Sequence, residues 1–338
     1  MPEVASLVHV RTYPVISISV TNSDATDYTS APVFADIPSS YIQALGCDWS
    51  NMRLEDENGN PITFWPDANG ANEVYPGYYS IWFKIDLPAS GTRTLRLYCD
   101  QSAPTYTSNP TDVVDIYVDY SSLDQLYSYS QYVTIDSSIY FDPPSSLCLL
   151  CKSNGYTNTA GRGDVQISYA DHYIVKVEWY MEAYGTGNML AHASYYNGND
   201  SWCGPYVAFG GTTPYSSYGP YIYSYDTSWH QIGQYQADSK WHRMMLHVHA
   251  VSQTFDAYYD DSLLASGLAF RQGSTPFSSD ATIHVVTEED ATATPDASNN
   301  HVDSFVYVAV PYTSMPSVLV SIGTLYDSSC LSELIDLT

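Results

Sequence analysis

Basic residues are scarce in this sequence. Its 338 residues hold 11 Lys and Arg against 37 Asp and Glu, a net charge of −26, and only four of the 11 are Lys. A surface of that sign repels nucleic-acid phosphates and anionic membranes, which argues against nucleic acid as a partner. No apolar run approaches the ~20 residues of a spanning helix, so membrane insertion is not expected. Met1-Pro-Glu is followed by neither the basic segment nor the apolar stretch of a secretion signal. Self-repulsion of this size is tolerated where salt screens it or mild acid neutralises carboxylates, which points to an extreme or extracellular milieu. Release by lysis, as for a virion component, would reconcile that milieu with the missing signal.

Cysteine is sparse as well, at six residues. Cys47 and Cys99 fall in the same third of the chain and could bridge, and an even count permits disulfides in an oxidising setting. Cys148-Leu-Leu-Cys151 has the spacing of half a zinc site. No second pair accompanies it, and in a strand positions i and i+3 face opposite sides, so no zinc is expected there. Phe is rare at 9 residues, whereas Tyr reaches 33. Tyr suits half-buried strand positions, with an apolar body and a polar tip. No repeat of 20–50 residues emerges.

What is present is period-2 alternation broken by turn residues. From Trp241, Met244, Leu246 and Val248 fall on one face and Met245, His247 and His249 on the other. A polar break at Ser252-Gln253 precedes a second run through Phe255, Ala257 and Tyr259. Asp260-Asp261 then turns tightly into a third run at Leu263-Leu264. This order resembles the central meander of laminin-G-like, concanavalin-type jelly rolls. Asp261 stands where those domains usually have Gly, though Asp tolerates left-handed geometry better than most residues. Val175, Val177, Trp179 and Met181 resemble the early core strand, and Val302-Asp303 opens a segment like the closing strand. The resemblance spans roughly residues 115 to 312 and implies a domain that binds glycans or other surfaces. Some relatives are glycosidases.

The first ~100 residues read as a separate unit. Val15 to Val20 alternates as a strand. Asn51 to Trp65 holds a strand, the Asn58-Gly59 turn and a returning strand. Ser80–Leu87 and Thr92–Tyr98 read as a further pair about the Ala89-Ser90-Gly91 turn. Met52-Arg53-Leu54, Phe64-Trp65, Trp82-Phe83-Lys84 and Leu97-Tyr98-Cys99-Asp100 resemble a β-sandwich family of unknown function. That family precedes laminin-G-like jelly rolls in archaeal, bacterial and viral surface proteins, and Cys99-Asp100 departs from its usual end. The expected fold is therefore all-β, with two β-sandwich domains, the second a concanavalin-like jelly roll. The divisions are 1–100, a Ser/Thr/Pro-rich linker over 101–114, the jelly roll over 115–312 and a tail over 313–338. Ser317–Ile322 in that tail is strand-like, and residues 328–337 could make a turn or two of helix.

Candidate chemistry is thin. Glu178 and Glu182 share a strand face and are the best carboxylate pair, but a glucanase-type signature is absent and a solvated face explains them. No catalytic residue is assigned. His247-x-His249 shares a face, yet no nearby spacing supplies a third metal ligand, so no metal site is assigned. No cofactor is required, and calcium alone would suit the acidic turn Glu288-Glu289-Asp290 or Asp260. Arg162-Gly163-Asp164 sits where a turn is expected, as a chance RGD. The most ligand-like stretch is the Tyr/Gly/Ser/Pro-rich region 202–229, read as loop. Rings and phenol hydroxyls match the CH faces and hydroxyl rims of sugars, so Trp202, Tyr215, Tyr218 and Trp229 are the glycan-binding candidates. The expected function is a non-enzymatic, surface-displayed binding or assembly protein outside the cell or on a virion, as decoration, spike or tail fibre. Its partners would be surface glycan or glycoprotein and other subunits of an oligomer. The alternatives are a cellular adhesin, or a glycoside hydrolase or lyase acting on polysaccharide.

Overall fold

A computed structural model describes residues 14–46, 48–67, 77–102, 109–129, 133–149, 160–181, 188–196, 199–201, 203–210, 219–271, 281–288, 300–312 and 318–326. Apart from one short helix, Ser39–Leu45, and three single 3-10 turns, these residues form strands and their connections. Six strands open the chain: β1 (Val15–Asn22), β2 (Tyr28–Pro38), β3 (Met52–Glu55), β4 (Phe64–Asp67), β5 (Tyr78–Leu87) and β6 (Thr92–Cys99). They form two sheets. Alternation in β1 sends Ile16, Ile18 and Val20 into a core shared with Leu95 and Leu97 of β6 and Val33, Ala35, Ile81 and Phe83 of the facing sheet.

Pairing in this unit differs from the sequence expectation. β5 and β6 do not form a hairpin: β5 pairs with β2 and β4, while β6 pairs with β1 and β3. The Ala89-Ser90-Gly91 turn therefore arches between sheets. The Asn58-Gly59 turn also separates two sheets, since β3 and β4 belong to different ones. Asp56 organises it, accepting N–H groups from Asn58 and Asn60 at 2.9 and 2.8 Å, while Gly59 takes φ +81°. Cys99 is disulfide-bonded. Cys47, Cys151 and Cys330 lie outside the described residues, and Cys148 and Cys203 are buried thiols that form no disulfide.

The jelly roll follows, with β7 (Ile116–Val118), β8 (Ser128–Tyr129), β9 (Val133–Asp136), β10 (Ser146–Leu149), β11 (Ala160–Ile167) and β12 (His172–Met181). Next come β13 (Asn188–Tyr196), β14 (Asn199–Ser201), β15 (Tyr206–Gly210), β16 (Tyr221–Tyr225) and β17 (Trp229–Gln234). The last are β18 (Trp241–His249), β19 (Thr254–Tyr259), β20 (Ser262–Ala269), β21 (Ala281–Glu288) and β22 (Asn300–Ala309). One sheet runs β20-β19-β18-β12-β22-β10-β9 with β7 on β22, and the other runs β17-β16-β15-β13-β21-β11-β8 with β14 on β13. Neighbours far apart in sequence, such as β12 between β18 and β22, make this a concanavalin-like jelly roll. Its core holds Val175, Val177, Trp179 and Met181 with Met244, Leu246, Val248 and Phe255. Asp260 and Asp261 both take positive φ, 45° and 61°, as the hairpin requires. Asp303 accepts N–H groups from Phe141 and Asp142 at 2.8 Å, tying that loop to the closing strand.

Two features join the units. Strand β23 (Val318–Tyr326), beyond the jelly roll, pairs with β1 at the edge of the N-terminal sandwich. Residues 328–337 lie outside the described residues. The β2-β5-β4 sheet also packs on the outer face of the β18 sheet. Ile174, Met245, Tyr258, Val306 and Val308 belong to the N-terminal core cluster, and the Trp65 and Tyr117 rings meet at 4.6 Å. Both faces of β12 and β18 are consequently buried.

Candidate functional site

The outer face of the second jelly-roll sheet remains. Cross-strand register places Tyr206, Tyr223, Tyr225 and Trp229 on it, since Tyr225 pairs with Trp229 and Tyr223 lies opposite Ala208. Trp229 meets Tyr225 at 4.6 Å, Tyr206 at 5.5 Å and Tyr223 at 6.3 Å between ring centroids. The Arg271 guanidinium lies over Tyr206 and Tyr225 at 5.1 and 5.0 Å, cation–π geometry that holds the fork against the rings. Trp229 and Tyr225 are half-buried, and Tyr206 is buried beneath them. Burial raises the Tyr223 phenol pKa, keeping it a neutral hydrogen-bonding group.

Trp229 was anticipated on a loop, but it begins a strand. Residues 206–210 and 221–225 of the same aromatic stretch are also strands. Trp202, Tyr215 and Tyr218 lie outside the described residues. Arg271 could not have been assigned from spacing, because it reaches the cluster from the end of the following sheet's hairpin.

Further along this face stands a polar cluster around Asp164. Arg162-Gly163-Asp164 is part of strand β11, not a turn. Arg162 Nε and Nη2 donate to Asp164 at 2.7 and 2.6 Å, His284 Nδ1 lies 2.6 Å from it, and the Ser128 hydroxyl also donates. Burial works to raise the Asp164 pKa, but these partners hold it at about 2. Asp164 and His284 are at most 1% exposed. A Cβ on Gly163 would lie 2.7 Å from Leu147 Cδ2, so packing requires that glycine. The tripeptide's two charges are spent on each other and cannot be presented to a receptor.

Glu178 was read as part of a solvated face. It is instead fully buried between the two sandwiches. Arg243 Nε donates to Glu178 at 3.1 Å, Arg243 Nη1 to Asp36 at 3.1 Å and to Asp261 at 2.7 Å, and Arg243 Nη2 to Ser80 at 2.8 Å. Lys176 Nζ donates to Asp67 at 2.6 Å and to Ser304 at 3.0 Å, and lies 3.2 Å from Glu178. Burial raises the Glu178 pKa against the pull of Lys176 and Arg243. Burial likewise raises Asp36, against Arg243. Two of the few basic residues are thus buried as counter-ions. A carboxylate locked under a neighbouring sandwich cannot meet a polysaccharide, and Glu182 lies outside the described residues.

Asp260 accepts from the Arg243 N–H at 3.0 Å and lies 2.7 Å from His242 Nδ1. Its oxygens serve strand anchoring. Glu289 and Asp290 lie outside the described residues. Two groups among the described residues bring three metal-ligand atoms within 4.8 Å of one another: Asp136–Cys148–His301 and His247–His249–Asp256. The third ligand of the second group comes from the adjacent strand, where spacing within β18 could not reveal it.

No protein-family model matches the sequence, and no curated protein matches it. Solved structures resemble it in shape. An endo-β-1,4-glucuronan lyase from the fungus Trichoderma reesei aligns at 14% identity and TM-score 0.44, covering 59% of this chain and 96% of its own. A Bacteroides ovatus mixed-linkage glucan GH16 in complex with product aligns at 10% identity and TM-score 0.43, over 58% and 100%. The cellulose-induced protein Cip1 aligns at 12% identity and TM-score 0.40, over 58% and 97%.

Proposed function

We propose that this chain is a non-enzymatic binding protein that recognises surface glycan through the outer face of its second jelly-roll sheet. The observation that carries the reading is the half-buried Trp229, which meets Tyr206 and Tyr223 edge-on and Tyr225 at a tilt, with Arg271 over Tyr206 and Tyr225. With Tyr206 and Tyr223 buried as its base, the partly exposed Trp229 and Tyr225 offer apolar ring surface for sugar CH groups and a phenol donor for hydroxyls. The excess of acid and the Tyr-rich strands suit display outside the cell. Within that reading the chain serves as a virion decoration, spike or tail-fibre subunit, or as a cellular adhesin, assembled with other copies. Its first 100 residues resemble the surface-protein sandwich family of unknown function.

A glycan array with the parent and Trp229→Ala tests the proposal. Retention of selected glycans by the parent and their loss in the variant, with unchanged circular dichroism, supports it. Binding that survives Trp229→Ala moves the site elsewhere.

A polysaccharide hydrolase or lyase is the second reading, because Asp164 orients His284 as a general base would be oriented. The complete burial of His284 ranks it second. Release of oligosaccharide from a polysaccharide panel, abolished by His284→Gln, would replace the binder with an enzyme.

A further inference from the structure

We infer that His247, His249 and Asp256 form a site for a divalent transition-metal ion of the zinc class, with His172 positioning one of the ligands. The three residues lie on adjacent strands of one face: His247 is directly opposite Asp256 in register, and His249 is two residues further along. The His247 and His249 ring centroids are 4.5 Å apart. Their ligand atoms and the Asp256 carboxylate lie within 4.8 Å of one another.

The detailed geometry suits an ion better than a set of hydrogen bonds. His249 Nε2 and Asp256 Oδ2 are 3.5 Å apart, at the limit of a hydrogen bond. Two ligands bound tetrahedrally at ~2.0–2.2 Å would stand roughly 3.3–3.5 Å apart, which is this separation. The second oxygen, Asp256 Oδ1, accepts the Gly267 N–H at 2.8 Å, which orients Oδ2 toward the cluster. His249 Nδ1 lies 3.1 Å from His172 Nδ1, so one of them must donate. A metal on His249 Nε2 puts the proton on His249 Nδ1, and His172 accepts it, which is how outer-sphere partners hold metal-bound imidazoles.

His247 is the independent observation. It is fully buried, and neither ring nitrogen has a hydrogen-bond partner. The Tyr312 backbone lies close enough to favour a ring proton but does not complete a bond. A buried imidazole left unsatisfied is costly and uncommon. A bound cation satisfies one nitrogen and leaves the other to face Tyr312. The His249 and Asp256 side chains are 11% and 12% exposed, so an ion can enter from that edge. Two imidazoles and one carboxylate favour zinc and its transition-series neighbours over calcium or magnesium, which take oxygen shells.

The test is a titration of the full chain with Co²⁺ and Zn²⁺ after treatment with a chelator. One equivalent of Co²⁺ should bind with visible ligand-field bands and no thiolate-to-cobalt charge-transfer band, and Zn²⁺ should raise the melting temperature. His249→Gln and Asp256→Asn should remove both effects. His172→Phe should weaken binding by ~10–100-fold without abolishing it, and His172→Asn should restore part of the loss, as a positioning role requires. Should a ligand variant fail to fold, protection of the partly exposed His249 in the parent from diethylpyrocarbonate by Zn²⁺ gives the same reading. The proposal is overturned by a parent that binds neither ion, by affinity unchanged in His249→Gln and Asp256→Asn, or by a thiolate band, which would assign the ion to Cys148.

Discussion

Lys176→Met is the most informative perturbation of the fold. Methionine keeps the length and apolar stem of lysine and deletes only the ammonium. In the parent, Nζ is completely buried and meets Asp67, Ser304 and Glu178. After the change Asp67 keeps the Trp82 indole N–H at 3.1 Å and the Ser304 hydroxyl at 2.9 Å, and Glu178 keeps Arg243. One buried negative charge is left without its counter-ion. Removing one partner of a buried pair costs about 3–5 kcal/mol, whereas removing both is often near neutral. The single variant should lose that amount at neutral pH in urea unfolding followed by tryptophan fluorescence, and Lys176→Met with Asp67→Asn should recover most of it. The network joins two sandwiches, so the single variant should also separate one transition into two. Acid should shrink the deficit. Glu178 already has a raised pKa from burial, so the folded state binds more protons than the unfolded one and gains stability as pH falls. A single variant as stable as the parent, or a double variant losing the sum of both single changes, would refute the account of this interface.

Trp179→Ala removes a fully buried indole from the jelly-roll core and should cost roughly 3–5 kcal/mol, measured by the same unfolding experiment. Trp229→Ala should abolish glycan retention while moving the melting temperature little, whereas Glu178→Gln should leave glycan retention unchanged because Glu178 is sealed between sandwiches. The melting temperature should rise with sodium chloride and be higher in mild acid than at pH 8, read by calorimetry across both variables. Burial raises Asp36 to about 7, against Arg243, so the folded state takes up a proton there and gains stability as pH falls from about 7 toward the carboxylate range. Burial opposes a charged His242, yet Asp260 and Asp238 raise its pKa, a contribution present in acid and lost as pH rises through the folded value. Below about pH 4 the trend should reverse. Asp136, bonded by Ser138 and His301, and Asp164, held by His284 and Arg162 against burial, both sit at about 2 and lose their contribution as they protonate. A melting temperature indifferent to salt would remove the inference about milieu.

Alternation by itself determined the class of this protein. Val175 to Met181, Met244 to Val248 and the Asp260-Asp261 turn are local patterns, because strand period and turn geometry depend on neighbouring residues alone. They announced an all-β chain and the jelly-roll meander. Sheet membership was beyond their reach. β5 and β6 look like a hairpin in sequence but arch between sheets, and β23 closes the N-terminal sandwich from the far end of the chain. The reason is that alternation marks two faces of a strand without saying what covers either one. On β12 and β18 the apolar face entered the jelly-roll core as its pattern implied. The polar face, with Lys176, Glu178, Arg243 and His247, carried the signature of solvent and is instead buried under a second sandwich. Contacts between residues 109 and 207 positions apart, Lys176 with Asp67 and Arg243 with Asp36, neutralise those charges. The same holds for chemistry: His247-x-His249 was visible as a pair, and only cross-strand register supplied Asp256 and His172.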